Sequence, residues 1–433
     1  LCTLMPVSAR RASAATFLQY LHSDLSPSPV LPLSITMPPA DMQPDHTAAS
    51  PHAMAQALAD EFAQTAAERD QRGGTPKAER DALRSSGLLT LSIPKTLGGQ
   101  GADWATVLQT VRTIAQADSS VAHVYGFHHL LLATVQLFSR PDQWQPWLEQ
   151  TARQQWFWGN ALNPLDTRTL ARPVEDGYDF SGSKSFCSGA LDSEMLVISG
   201  TEEHTGKLLI AAIPTTREGI TLREDWNCMG QRQTDSGSAL FKNVRVDASE
   251  LLRDPGPLTT PRSSLRPLLA QLIFVNIFLG LAEGAFAQAR HYTLHESRPW
   301  FRSSAVRASE DPYIQSHYGE FFVGLESIRL LAANAAAVFD AAWSQGDSLD
   351  AQGRGHVAVT VATAKVASTR VGLELTSRLF ETTGARATHG ALRLDRFWRN
   401  LRTQTLHDPV DYKLQELGDW ALHGKAPSPS FYS

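Results

Sequence analysis

The spacing of apolar residues changes character twice along this chain, and those two changes constrain its fold more than any single motif. From Pro51 to about Arg140 the period is helical: Met54, Ala57, Leu58 and Phe62 share one helix face, and Val107, Leu108, Val111 and Ile114 repeat the spacing. Thr75-Pro76 predicts an N-cap with proline at the first helical position, and Gly87 predicts that helix's end. A glycine-rich turn follows at 91–101, and another helix is expected over about 119–138. Between about 156 and 252 the pattern shortens to β-rich runs at 194–199, 207–213, 220–223 and 238–246. Asp176-Gly177 and Arg217-Glu218-Gly219 suit hairpin connections. Beyond Ser264 the helical period returns in long stretches, 265–294, 312–343, 355–383 and 408–422. The expected architecture is α+β and multidomain: an N-terminal α-helical domain at 51–155, a middle antiparallel β-barrel or sandwich at 156–260, and a C-terminal four-helix bundle at 261–433. Residues 1–50, rich in Ser and Pro and without sustained period, are expected to be a disordered or spurious extension; Arg10 and Arg11, with no acidic residue before Asp24, leave a transit peptide as the alternative.

Composition narrows the function. A net charge of -5 argues against a nucleic-acid surface, which needs clustered cations to neutralise phosphate. Cys2, Cys187 and Cys228 form no C-x-x-C pair and no His/Cys cluster, so neither a disulfide framework nor a metal site is expected, and a reducing cytoplasm fits. The most apolar run, 268–281, is interrupted by Gln271 and Asn276 and is short for a bilayer, so it reads as a buried core helix and not a membrane anchor. No G-x-G-x-x-G opens a helix after a strand, so no nicotinamide site is indicated.

Four segments, taken in order, resemble the acyl-CoA dehydrogenase superfamily: Ile93-Pro94 with Gly98-Gly99, Gly182-Ser183-Lys184-Ser185-Phe186-Cys187-Ser188-Gly189-Ala190, Gly280-Leu281-Ala282-Glu283-Gly284-Ala285, and Phe380-Glu381-Thr382-Thr383-Gly384-Ala385-Arg386. Further segments resemble its dibenzothiophene monooxygenase branch, two-component enzymes that take reduced flavin from a separate reductase: 122–129, Trp158-Gly159-Asn160-Ala161, 226–238 and Leu406-His407-Asp408-Pro409. The resemblance covers roughly 51–420 and implies a homotetramer using reduced FMN, or FAD, with O2 as cosubstrate to oxygenate a small apolar molecule, an organosulfur compound in the first instance.

The resemblance also assigns roles. A flavin C4a-hydroperoxide would need a hydrogen-bond donor, a partner at the flavin N5 and exclusion of water. His407 is the implied donor, because its position carries no carboxylate to act as a dehydrogenase base. Ser188 is implied at N5 and Asn160 at the polar edge of the flavin or the peroxide, while Trp226 would wall the ring. Arg298 and Arg386 would clamp the flavin phosphate, Arg386 from a neighbouring subunit. His123 and Phe127, at i and i+4, share the helix face implied to look into the substrate pocket. Each residue also has a plainer reading, as a turn polar group, a core aromatic, or a surface ion pair.

Two positions depart from the branch, which carries tyrosine in place of Phe127 and a second histidine in place of Gln404. Both changes remove donors, so oxygenation is implied more firmly than any aromatic sulfur substrate. The rival functions are an FAD-dependent acyl-CoA dehydrogenase, for which Glu374, Glu381 or Glu416 would have to supply the base, and a non-catalytic flavin-binding protein.

Overall fold

A computed structural model describes Ser50–Ser433, and the extension expected over 1–50 falls outside the described residues except for Ser50. Five helices come first: α1 Pro51–Arg72, α2 Lys77–Ser86, α3 Trp104–Ala117, α4 Ser119–Phe138 and α5 Pro141–Gln154. Short polar side chains start three of them. Ser50 Oγ accepts from Ala53 N, Asp103 from Thr106 N, and Asp118 from Ser120 N and Val121 N, satisfying amides that have no partner inside a helix. The expected cap at Thr75 does not form. Pro76 precedes α2 and the Thr75 hydroxyl donates instead to Asp235 Oδ1 at 2.9 Å, a long-range partner that outcompetes the local one.

Seven strands follow: β1 Trp158–Ala161, β2 Leu170–Val174, β3 Gly177–Lys184, β4 Met195–Glu202, β5 Leu208–Pro214, β6 Ile220–Leu222 and β7 Ala239–Asp247. They form one sheet in the order β1-β4-β2-β3-β7-β6, with β5 on the other edge of β4. The expectation of a purely antiparallel domain is corrected here. β1 and the start of β2 line up end to end beside β4 and both run parallel to it, so the sheet is mixed. Parallel neighbours need long connections, which local turn signals do not reveal.

The remaining helices are α6 Leu265–His295, α7 Pro312–Ser344, α8 Ala351–Thr383, α9 Asp395–Thr405 and α10 Val410–His423. α6 is apolar on every side because it is the central post: α7, α8 and α9 pack on it, as do α3 and α4 from the first domain. Close approach explains the glycines of its Gly280-Leu281-Ala282-Glu283-Gly284 motif, where an added Cβ would stand 2.2 Å from Arg112 O and 2.0 Å from Gln116 O of α3. Glu283 between them is structural, accepting from Arg112, Gln116 and Arg329. α6 and α7 are both long and apolar enough to cross a membrane; the most apolar stretch of α6 is wholly interior, as expected for 268–281, whereas α7 leaves Phe322, Val323 and Leu330 more than half exposed.

Candidate functional site

His407 occupies the tight connection between α9 and α10, where its backbone N–H closes a turn onto Gln404 O at 3.0 Å. The ring is fixed from three directions. Nδ1 lies 3.1 Å from Asp408 Oδ1, one face meets Phe274 of α6 at 4.8 Å, and Tyr432 lies 5.6 Å away. Asp408 is buried, and Lys365 from α8 answers its charge at 3.3 Å while also donating to Gln271 Oε1 at 2.8 Å. Burial alone would raise the Asp408 carboxyl, but the His407 hydrogen bond and the Lys365 ammonium outweigh it and hold the group well below the usual carboxylate range. With the Nδ1 proton on this fixed carboxylate, Nε2 of His407 accepts in the neutral form and donates in the imidazolium form.

His123 also meets Phe274, ring centroids 5.8 Å apart, and is stacked on Phe127 at 4.2 Å. Burial, aided by the nearby His407, lowers its pKa to about 3, so His123 is neutral at any working pH. Gln404 Nε2 lies 3.1 Å from His123 Nδ1; with the amide donating there, the imidazole proton belongs on Nε2, and Gln404 Oε1 remains a buried acceptor without a partner among the described residues. The neighbouring histidines are core residues: His128 bridges Leu89 O and Trp158 N, and His129 pairs with the Ser92 hydroxyl.

Asn160 and Ser188 meet through the backbone, Asn160 N donating to Ser188 O at 3.0 Å. Phe186 at φ 61° and Gly189 at φ 68° turn the chain so that the Ser188 hydroxyl joins a relay of 2.7 Å contacts through Ser236 to Thr234, which donates to Gln231 O. Trp226 donates its indole N–H to the same carbonyl at 2.7 Å and meets Phe186 edge-on. Gln231 also links this corner to the histidines, through Ser119 Oγ on α4 and Asn400 Oδ1 on α9. His123 and Gln404 lie four residues further along those two helices, one turn up the same faces, where they bond each other. Gly230 permits this docking, since a Cβ there would stand 2.1 Å from Arg399 O.

Arg298 and Arg386 lie together on a different edge. Arg386 donates to Glu296 O at 3.1 Å, Ser297 donates to Thr383 O at 3.1 Å, and Gly384 at φ 79° makes the turn between them. Both guanidiniums are exposed, and no hydrogen bond among the described residues connects them to the Asn160–Ser188–Trp226 corner. Sequence reasoning thus groups nine residues, of which His407, His123, Phe127 and Gln404 gather about Phe274, Asn160, Ser188 and Trp226 form the adjoining corner, and the two arginines stand apart. It missed Lys365, Phe274 and Tyr432. Lys365 had one sequence signal, a lone cation on the α8 stripe shared by Val361, Ser368 and Gly372. Glu374 and Glu381 are spent on Arg378 at the surface and Glu416 on Lys413, so none of these faces the histidines as a base. Among the described residues no group of side chains could hold a metal ion.

Comparison with known proteins identifies the family of the chain. Residues 45–155 match the acyl-CoA dehydrogenase N-terminal domain and 272–412 the acyl-CoA dehydrogenase C-terminal domain. The chain is 67% identical over 382 residues to a probable FMNH2-dependent monooxygenase, SfnC, of Pseudomonas putida, covering 88% of this chain and 97% of that one. Methanesulfinate monooxygenase MsuC of Pseudomonas fluorescens superposes with a TM-score of 0.88 at 66% identity, over 89% of this chain and 100% of that one. Dibenzothiophene monooxygenase TdsC of Paenibacillus sp. A11-2, also solved with FMN bound, superposes with a TM-score of 0.84 at 42% identity, over 88% and 100%.

Proposed function

Because the chain belongs to the acyl-CoA dehydrogenase superfamily, among its reduced-flavin-dependent monooxygenases, we propose that it oxygenates a small organosulfur compound at sulfur, with O2 and with reduced FMN delivered by a separate flavin reductase. The observation that carries this reading is the pair of histidines that both meet Phe274, with Asp408, the carboxylate beside His407, locked in an ion pair with Lys365. A dehydrogenase needs a free base to take a substrate proton, and Asp408 is held too acidic for that task.

The side chains present fit a reduced flavin mononucleotide. The Ser188 hydroxyl ends a relay that can reorient its proton, Gln404 Oε1 is a buried acceptor without a partner, and Arg298 and Arg386 carry exposed guanidiniums. Ser188 and Asn160 would hold the polar edge of the ring, Trp226 its flat face, and the two arginines its phosphate. When bound, reduced FMN supplies the two electrons that split O2, one oxygen atom going to sulfur and the other leaving as water.

The protein's part is orientation and proton management. His123 presents a neutral N–H at Nε2, His407 gives or takes a proton at its own Nε2, and Asp408 with Lys365 keeps the His407 ring from turning. Phe127 and Phe274 form an apolar wall that keeps water from the buried His123, while His407, its side chain 39% exposed, stays open to solvent beside Tyr432. A homotetramer completes the site, the exposed apolar face of α7 and the exposed Trp300–Phe301 pair supplying the surface and Arg386 reaching the flavin of a neighbouring subunit. The enzyme works in the cytoplasm, where Cys187 and Cys228 remain free thiols. The test is a coupled assay with a flavin reductase and a panel of organosulfur compounds. An oxygenated product supports the reading, and stoichiometric hydrogen peroxide with every compound refutes it.

A further inference from the structure

Gly424 at φ 67° ends α10, and residues 425–433 that follow are rich in Ser and Pro, a composition that ordinarily leaves a segment loose on the surface. This one is anchored. Pro427 and Ser433 are buried, and Phe431 packs against the main hydrophobic core. Ser430 N donates to Ser433 O at 3.0 Å and Tyr432 N to Ser430 Oγ at 3.1 Å, which closes the segment into a compact turn.

The anchor is Arg354, in the first turn of α8 and only 2% exposed. It donates to Ser264 Oγ at 3.1 Å, to Pro427 O at 2.9 Å and to Ser433 O. Burial lowers its pKa to about 10, so the charge is present at neutral pH, and it stands at the positive end of the α8 dipole, which disfavours a cation. A guanidinium buried in such a place needs oxygen partners, and two of its three come from this segment. Gly355, next along α8, lets the segment approach, because an added Cβ would stand 2.8 Å from Ala426 Cβ.

What the anchored segment delivers is the Tyr432 ring, 5.6 Å from the His407 ring and inclined to it by 51°. The one hydrogen bond of Tyr432 among the described residues is made by its backbone N–H, so the contact with His407 is one of ring with ring. Of the two aromatic neighbours of His407 among those residues, Phe274 is rigid on the central post α6, while Tyr432 is held only as firmly as its segment. The imidazole is 39% exposed with this wall in place.

We infer that Tyr432 is a positioning residue for His407, acting through its ring, and that residues 425–433, latched by Arg354, form a wall that orients the imidazole and limits its exposure to water. The inference rests on the oxygenation reading for its consequence in turnover. An imidazole free to swing meets the reacting oxygen in the productive geometry less often, and more O2 then leaves as hydrogen peroxide, carrying two electrons from reduced flavin and two protons.

The test has a readout that needs no turnover. The FMN-supplemented full chain is treated with diethyl pyrocarbonate, and the rate of His407 acylation is followed by peptide mass spectrometry, with the exposed His423 as internal reference. Tyr432→Ala roughly doubles the rate at His407, the range left open by a side chain already 39% exposed, and Tyr432→Phe restores it, because the ring and not the hydroxyl makes the contact. Arg354→Met, which keeps the stem and removes the donors, speeds hydrogen exchange at the Ser430 and Tyr432 amides about 10-fold or more, as loss of charged hydrogen bonds requires. Gly355→Ala, a change that otherwise favours a helix, displaces Ala426 from outside the site and raises His407 acylation in the same direction. In the reductase-coupled assay the peroxide share rises about 2- to 10-fold in Tyr432→Ala, the factor that an aromatic contact supplies, and stays near wild type in Tyr432→Phe. Unchanged His407 acylation in folded Tyr432→Ala overturns the inference, as does a Tyr432→Phe protein that behaves like Tyr432→Ala, and either leaves the oxygenase reading standing. If acylation responds as expected yet no sulfur compound is oxygenated by the wild type, the wall stands and the oxygenase reading falls.

Discussion

Replacing Lys365 by methionine isolates what the buried ion pair does for His407. The Lys365 and Asp408 side chains are 2% and 8% exposed, and the ammonium also lies 4.6 Å from the centre of the Phe274 ring. Methionine keeps the stem packed on Phe274 and Phe278 but removes the ammonium that pairs with this carboxylate. Breaking one side of a buried pair leaves an uncompensated charge and costs about 3–5 kcal/mol. The pair is not thereby worth that much, because the double variant Lys365→Met/Asp408→Asn removes both charges and leaves an amide oxygen that can still accept from His407 Nδ1. Equilibrium urea unfolding of wild type, both single variants and the double variant forms the required cycle. The expected result is a large loss in Lys365→Met, of which the double variant recovers at least half. The same loss shifts the acid limb: Asp408 is depressed in the fold, so its contribution is full above about pH 4, the ordinary carboxylate range, and is lost as pH falls through its lower folded value. Lys365→Met within about 1 kcal/mol of wild type, or a double variant no better than the single, would refute the argument.

His123, with a folded pKa of about 3, should show no imidazole titration by NMR between about pH 5 and pH 8. Because the unfolded chain takes up this proton near pH ~6.5 and the fold does not, His123 makes the fold less stable as pH falls below that value, and His123→Phe should flatten that slope in unfolding experiments. Gly230→Ala forces a Cβ against Arg399 O and should cost about 1–3 kcal/mol while weakening reduced-FMN affinity in an anaerobic titration, because the Gln231 bonds to α4 and α9 are displaced; unchanged affinity would detach that loop from the flavin. His407→Ala should keep the fold but raise the share of O2 released as hydrogen peroxide in the coupled assay, by about tenfold or more if the imidazole donor is worth its usual charged hydrogen bond, and an unchanged share would remove His407 from the chemistry.

Much of this was legible in the sequence where chemistry is local. The helix-to-strand-to-helix order follows from apolar period alone, and the Gly182–Ala190 and Leu406–Pro409 segments pointed to Ser188 and His407 because short motifs survive as turns. What escaped depends on residues far apart in the chain. Thr75 looked like a cap until Asp235, 160 residues away, proved the better partner. The parallel pairing of β1 and β2 with β4 is a matter of tertiary connection that no turn residue announces. Lys365 is remote in sequence from Asp408, and Tyr432 reaches His407 only because Arg354 clamps its segment. The Arg298–Arg386 edge remains apart from the Ser188 corner within one chain, as expected if the phosphate clamp is shared between subunits.

The central claim is that this site transfers an oxygen atom from O2 to sulfur. It is tested most directly by supplying chemically reduced FMN, methanesulfinate and heavy-isotope O2 to the purified protein and analysing the product by mass spectrometry. The account predicts a sulfonate carrying one heavy oxygen atom per turnover, with the second recovered in water. A product without label, or heavy hydrogen peroxide in place of any oxygenated sulfur compound, would contradict it.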